Sequence, residues 1–116
     1  MNRFQAVVRF AIHRGKSEEF KRIAEDMIRL TREKDTGTVR FDIFVSGDGS
    51  EAVFYEEFVS LEARLEHLAN MGENVAAMLA IGDMRADVLT HADSTLRASV
   101  EGFDVTFYTP FLRMAK

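Results

Sequence analysis

Apolar and polar positions alternate over residues 4–12 (Phe-Gln-Ala-Val-Val-Arg-Phe-Ala-Ile), a stretch rich in β-branched and aromatic side chains and bounded by Gly15. That pattern predicts a strand. The period then changes. Phe20, Ile23, Met27, Ile28 and Leu30 recur at helical spacing after Ser17, an expected N-cap, and Glu18 and Glu19 suit the positive end of a helix dipole. Lys34-Asp35-Thr36-Gly37 ends this helix. Strands are expected over 38–46 and about 51–59, joined through the turn Ser46-Gly47-Asp48-Gly49-Ser50. Ser60 then caps a helix reaching about Asn70, and Met71-Gly72 breaks it. A further helical piece over about 73–82 closes at Gly82. A fourth strand is expected over about 85–91. Asp93-Ser94-Thr95 caps a short helix ending near Gly102, and a last strand over about 103–109 stops at Pro110. The order β-α-β, β-α-β, α-β predicts one α+β domain over 1–116. It is a ferredoxin-like antiparallel sheet with helices on one face, with a core over 4–91 and an extra helix and strand over 93–109.

Both strand faces carry large apolar groups. Phe4, Ala6, Val8, Phe10 and Ile12 oppose Gln5, Val7, Arg9 and Ala11. Val39, Phe41, Ile43 and Val45 oppose Arg40, Asp42 and Phe44, and Val53, Tyr55, Glu57 and Val59 oppose Ala52, Phe54, Glu56 and Phe58. Helices cover one face only. The other would expose Val7, Phe44 and either Phe54 and Phe58 or Val53 and Tyr55. Packing two sheets face to face in a symmetric homodimer removes that patch.

Composition narrows the class. The 116 residues, 47% hydrophobic and 29% charged, suit a single globular domain. A net charge of -4 argues against nucleic acid, which calls for a basic face. No apolar run approaches the ~20 residues that span a bilayer, so no membrane role is expected. The N-terminus enters a strand pattern directly, which makes the cytoplasm the expected location. There is no cysteine, and the three histidines lack metal-ligand spacing, so neither metal nor cofactor is expected.

The stretch Tyr55-Glu56-Glu57-Phe58-Val59-Ser60 and on through Ala63 and His67 to Gly72 resembles the signature Y-E-x-(W/F/Y)-x-S-x-x-A-x-x-x-H of antibiotic-biosynthesis-monooxygenase-like proteins. Thr31-Arg32-Glu33 followed by Gly37-Thr38-Val39-Arg40-Phe41-Asp42 is similar to that family's (R)-E-P-G-T-L-x-Y-D segment, with Lys34-Asp35-Thr36 replacing the proline link and Phe41 standing for tyrosine. The resemblance implies a ferredoxin-like fold paired as a dimeric α/β barrel. It also implies a function among cofactor-free monooxygenases of quinols and polyketides, heme-degrading enzymes, and isomerases. The chain has no tryptophan, which disfavours heme degradation.

His67 is the candidate base, because imidazole titrates near neutrality. A wheel drawn through Leu61, Leu65 and Leu68 puts it at the border of the buried stripe, beside Ala63 and Asn70, where an interfacial histidine fixing the helix through one hydrogen bond is the first reading and catalysis the second. Glu56 and Glu57 point to opposite faces, so one is buried and needs a partner, with Arg9 and Arg40 nearest. The expected catalytic set is His67, Glu56 and Arg40, and the expected pocket is Tyr55, Phe41, Phe58, Asn70 and Met71. The expected function is cofactor-independent oxidation of a small phenol or quinol. The alternatives are a non-catalytic small-molecule binding module and an isomerase of a small hydroxyketone.

Overall fold

The computed structural model describes residues 3–114. Its elements are β1 (Phe4–Ile12), α1 (Ser17–Lys34), β2 (Thr38–Val45), β3 (Glu51–Phe58), α2 (Leu61–Met71), α3 (Asn74–Leu79), β4 (Gly82–Val88), α4 (Ser94–Ser99) and β5 (Val105–Phe107). The sheet order is β2-β3-β1-β4-β5. The first four strands pair antiparallel in the ferredoxin-like arrangement, and β5 adds in parallel beyond β4. The α+β class and the helices on one face are as expected from the chain's periodicities.

Local chemistry explains the boundaries. In the β2–β3 turn, Asp48 accepts from the Ser50 backbone and from the hydroxyls of Ser46 and Ser50, bonds that hold its carboxyl at about 2. Gly49 supplies the positive φ of 76° that the turn requires. Ser60 caps α2 through the Ala63 N–H, and Asp93 caps α4 through the Leu96 N–H. At α1 the expected cap shifts by one residue. Lys16 occupies the N-cap without a side-chain bond, and Ser17 is already helical.

Three other boundaries are corrected. Gly82 opens β4 rather than closing a helix, because Phe10 lies so close that a Cβ there would stand 2.2 Å from its ring. The strand ends at Val88, three residues early. Beyond it the buried Thr90 hydroxyl takes the Gln5 N–H and donates to the Arg3 carbonyl, so a side chain continues the pairing with β1. The last strand spans three residues instead of seven.

The register settles which strand faces coincide. Phe4, Ala6, Val8 and Phe10 lie with Ala52, Phe54, Glu56 and Phe58, with Phe41 and Ile43, and with Met84, Ala86 and Val88 under the helices. Helix α1 lays Phe20, Ala24 and Met27 on this face. Two apolar clusters result, one around Phe10, Phe20 and Phe54 and one around Phe4, Phe58 and Leu96. Val7, Val53, Tyr55 and half-exposed Phe44 occupy the opposite face. Among the described residues no helix is long and apolar enough to cross a membrane.

Candidate active site

Where the two clusters meet, the packing leaves a cavity of about 150 Å³. Its walls are the covered sheet face, Met27 of α1, one side of α2, helix α3, and Val100, Phe103 and Val105 of the C-terminal unit. The lining is almost wholly apolar. Its ionisable groups are Glu56, Arg64 and His67.

His67 is 3% exposed and lies at the centre of the buried side of α2, between Ala63 and Met71. The leucine wheel is thereby corrected: Leu65 is 43% exposed, and Leu61 and Leu68 are half-buried. The inward positions go to a small residue and a polar one for a physical reason. The 35–37 loop crosses so closely that a Cβ on Gly37 would stand 2.6 Å from that of Ala63. The same approach brings Asp35 to the imidazole. Glu66 fastens the loop by accepting from the Thr36 backbone and hydroxyl.

The Asp35 carboxylate receives His67 Nδ1 at 2.7 Å and Asn70 Nδ2 at 2.8 Å, as well as the Thr38 hydroxyl. Burial alone would raise its pKa, but the bonds from Thr38, Asn70 and His67 outweigh that and hold it below the usual value. An ionised carboxylate only accepts, so Nδ1 carries the imidazole proton and Nε2 keeps its lone pair. Nε2 has no hydrogen-bond partner among the described residues, and His67 is one of the residues that line the cavity. Burial lowers the His67 pKa, Asp35 raises it, and Arg64 lowers it again, with a net fall. His67 is neutral at pH 7. Phe41 and Phe58 pack against its ring at centroid distances of 4.6 and 5.1 Å.

Glu56 enters from β3, and burial, opposed only by Arg64, pushes its pKa up to about 7. The two do not form an ion pair. Arg64 lies one turn before His67 on α2, with its guanidinium over Phe4 at 5.0 Å. Its Nη1 is buried without an acceptor among the described residues.

The structure thus brings His67, Glu56, Phe41 and Met71 together around the cavity. Phe58, fully buried, backs the imidazole, and Asn70 supports Asp35 rather than lining the pocket. Arg40 and Tyr55 do not join them. They lie on the opposite sheet face, where Arg40 bonds Asp42 and stacks over the Tyr55 ring at 4.2 Å. Arg9 likewise pairs with Asp87 there, so neither arginine meets Glu56. Parity accounts for both corrections, because Arg40 pairs with Glu57 rather than Glu56. Asp35 and Arg64 are additions to the expected site. One signal of Asp35 was present: an acid at a helix C-terminus, where the dipole disfavours it, calls for a specific partner. Among the described residues no group of histidines and carboxylates could hold a metal.

The chain matches a family of known proteins in sequence and known structures in fold. A model of the antibiotic biosynthesis monooxygenase family matches residues 3–79. The chain belongs to that family. No curated protein sequence matches. Among solved structures, MupZ from Pseudomonas fluorescens superposes with a TM-score of 0.85 at 18% identity, covering 100% of this chain and 96% of that one. SnoaB from Streptomyces nogalater, a cofactor-independent oxygenase, gives 0.66 at 18% identity over 81% and 97%. Rv0793 from Mycobacterium tuberculosis gives 0.63 at 25% identity over 78% and 97%. These likenesses establish the ferredoxin-like fold. Ser99, Val100, Phe103 and Val105, which close the cavity, lie beyond the residues the family model matches.

Proposed function

We propose that this chain is a homodimeric, cofactor-independent monooxygenase of a small phenol or quinol. The observation that carries the reading is the Asp35–His67 hydrogen bond, which leaves Nε2 unprotonated on a histidine that lines an apolar cavity. Nε2 accepts the proton of a ring hydroxyl, and Asp35 stabilises the imidazolium that forms. The electron-rich anion attacks dioxygen through a ring carbon, forming a C–O bond. Loss of water from the resulting peroxide leaves a carbonyl. The substrate gains one oxygen and loses two hydrogens, and the second oxygen leaves as water. An apolar, water-poor wall favours this by leaving the anion poorly solvated. The volume limits the substrate to about one ring, since a dry cavity of about this size in another protein holds benzene. The family and the SnoaB fold support oxygenation in general terms.

The dimer reading rests on the open sheet face, where Val7, Val53, Tyr55 and Phe44 form an apolar strip between the Arg9–Asp87 and Arg40–Asp42 pairs. Oxygen uptake with a panel of single-ring phenols and hydroquinones tests the activity. One dioxygen per quinone formed, lost in His67→Ala, is the expected result. Turnover that persists in His67→Ala contradicts it.

One observation favours a second reading. With Glu56 held at about 7 and His67 neutral, the cavity carries two proton-transfer groups, the set that isomerisation of a hydroxyketone requires. Turnover under strict anaerobiosis would select that reading.

A further inference from the structure

Arg64 carries more charge into the cavity than its surroundings answer. Its guanidinium forms no hydrogen bond or ion pair with any described residue, and Nη1 is buried. A guanidinium offers five N–H donors and does not deprotonate in proteins, so the unmet demand is permanent. Burying such a group without a partner is costly, and the neighbouring carboxylate does not relieve it. Glu56 shares the cavity yet makes no direct bond to Arg64, and around neutrality it is only partly ionised. The Phe4 ring beneath the guanidinium offers its face, not an oxygen. The other ionisable group in the lining is His67, which is neutral and committed to Asp35. Every remaining wall is apolar or, at Ser99, occupied, since the Ser99 hydroxyl donates to the Leu96 carbonyl.

A ligand that enters this space must therefore supply the anion. We propose that the cavity selects a ring-sized carboxylate, whose oxygens accept from the Arg64 guanidinium beside Glu56. Planar guanidinium and planar carboxylate suit each other through paired N–H···O bonds. The proposal rests on the cavity being the substrate site and deepens that reading: the substrate becomes a hydroxylated ring acid, anchored at Arg64 and deprotonated at His67. It also links binding to a proton. A second negative charge beside Glu56 favours its neutral form, so binding draws a proton onto Glu56.

The test uses benzoate and its neutral counterpart benzamide, with affinity measured by calorimetry on the intact protein. At pH 6, benzoate is expected to bind about 10–100-fold more tightly than benzamide, the worth of a charge-assisted bond pair. Arg64→Gln should remove that preference, and Arg64→Lys should keep part of it. Arg64→Gln removes the unanswered charge and Arg64→Lys keeps it on a flexible stem, so neither adds a burden to folding. Benzoate affinity should be about tenfold weaker at pH 8 than at pH 6, a dependence that Glu56→Gln flattens. Equal affinity for benzoate and benzamide, or unchanged benzoate affinity in Arg64→Gln, would overturn the proposal. Oxidation of neutral phenols with no preference for carboxylates would sink the proposal and leave the oxygenase reading standing. Arg64-dependent benzoate binding without oxygen uptake on any hydroxybenzoate would support the anion site and remove the oxygenase reading.

Discussion

Glu56 and Glu57 are neighbours in the chain and occupy different chemical worlds. Glu57 points to the open sheet face and meets Arg3 at 2.6 Å, an ion pair whose arginine remains in solvent. Glu56 points under the helices, finds no hydrogen bond among the described residues, and has its pKa driven to about 7 by burial. The same contrast separates the arginines. Arg40 on the open face bonds Asp42 and covers Tyr55, whereas Arg64 on the covered face holds a guanidinium nitrogen with no acceptor. Charges on the open face answer one another. Those on the covered face are left wanting a partner, and that unmet demand marks a site.

The contrast breaks most sharply at His67. Replacing it with alanine should cost about 10²–10⁴-fold in turnover on a verified phenol, the range for loss of a general base. Asp35 acts through His67, and Asp35→Asn separates positioning from scaffolding. Asp35 raises the imidazole pKa, so its neutral replacement should move the acidic limb of the pH–rate profile to lower pH. A profile that stays in place while turnover falls would reduce Asp35 to a scaffold.

Glu56 gives the next largest effect, on stability. Its folded pKa stands above the ordinary 4.5, at about 7. The folded state therefore holds a proton that the unfolded chain releases. The stability this provides is complete below about 4.5 and lost as the pH rises through 7. Glu56→Gln never ionises. Its advantage over the natural chain in urea unfolding should grow by about 2–3 kcal/mol between pH 5 and pH 8. A constant difference would show that Glu56 is not desolvated.

Much of this contrast was legible in the chain, and the rest depended on tertiary geometry. The α1 periodicity, the Asp48 turn and the Ser60 cap all rest on local rules, and each appears in the fold. Arg40 was misgrouped because strand parity predicts alternation within a strand. Which faces coincide across strands depends on register, and the β2–β3 register shifts between Thr38 and Arg40. The α2 wheel failed because three leucines outweigh one alanine and one histidine on any hydropathy count. The close passage of Gly37 over Ala63 reverses that order. Asp35 lies 32 residues from His67, and no local pattern joins them. Arg64 looks like an ordinary solvated helix residue until the sheet beneath it is in place.

Smaller effects belong to the open face. If two sheets pack there, Phe44→Lys or Val7→Lys should weaken association by about 1–2 kcal/mol, seen in sedimentation as a shift toward the 13.2 kDa monomer. An unaltered sedimentation profile would remove this face from the interface. Arg40→Ala should leave turnover and melting temperature essentially unchanged, since Arg40 stands outside the cavity. A large loss of activity in that variant would return Arg40 to the catalytic set.

The central claim is that His67, in the cavity lining, is a neutral base, protonated at Nδ1 by its bond to Asp35 and unprotonated at Nε2. Nitrogen-15 NMR of the imidazole measures this without a known substrate. The expected result is a protonated Nδ1 and an unprotonated Nε2 at pH 7, an apparent pKa below the ordinary 6.5, and an Nε2 resonance that moves when benzoate fills the cavity. Titration at or above 6.5, or an Nε2 signal indifferent to benzoate that is bound, would contradict it.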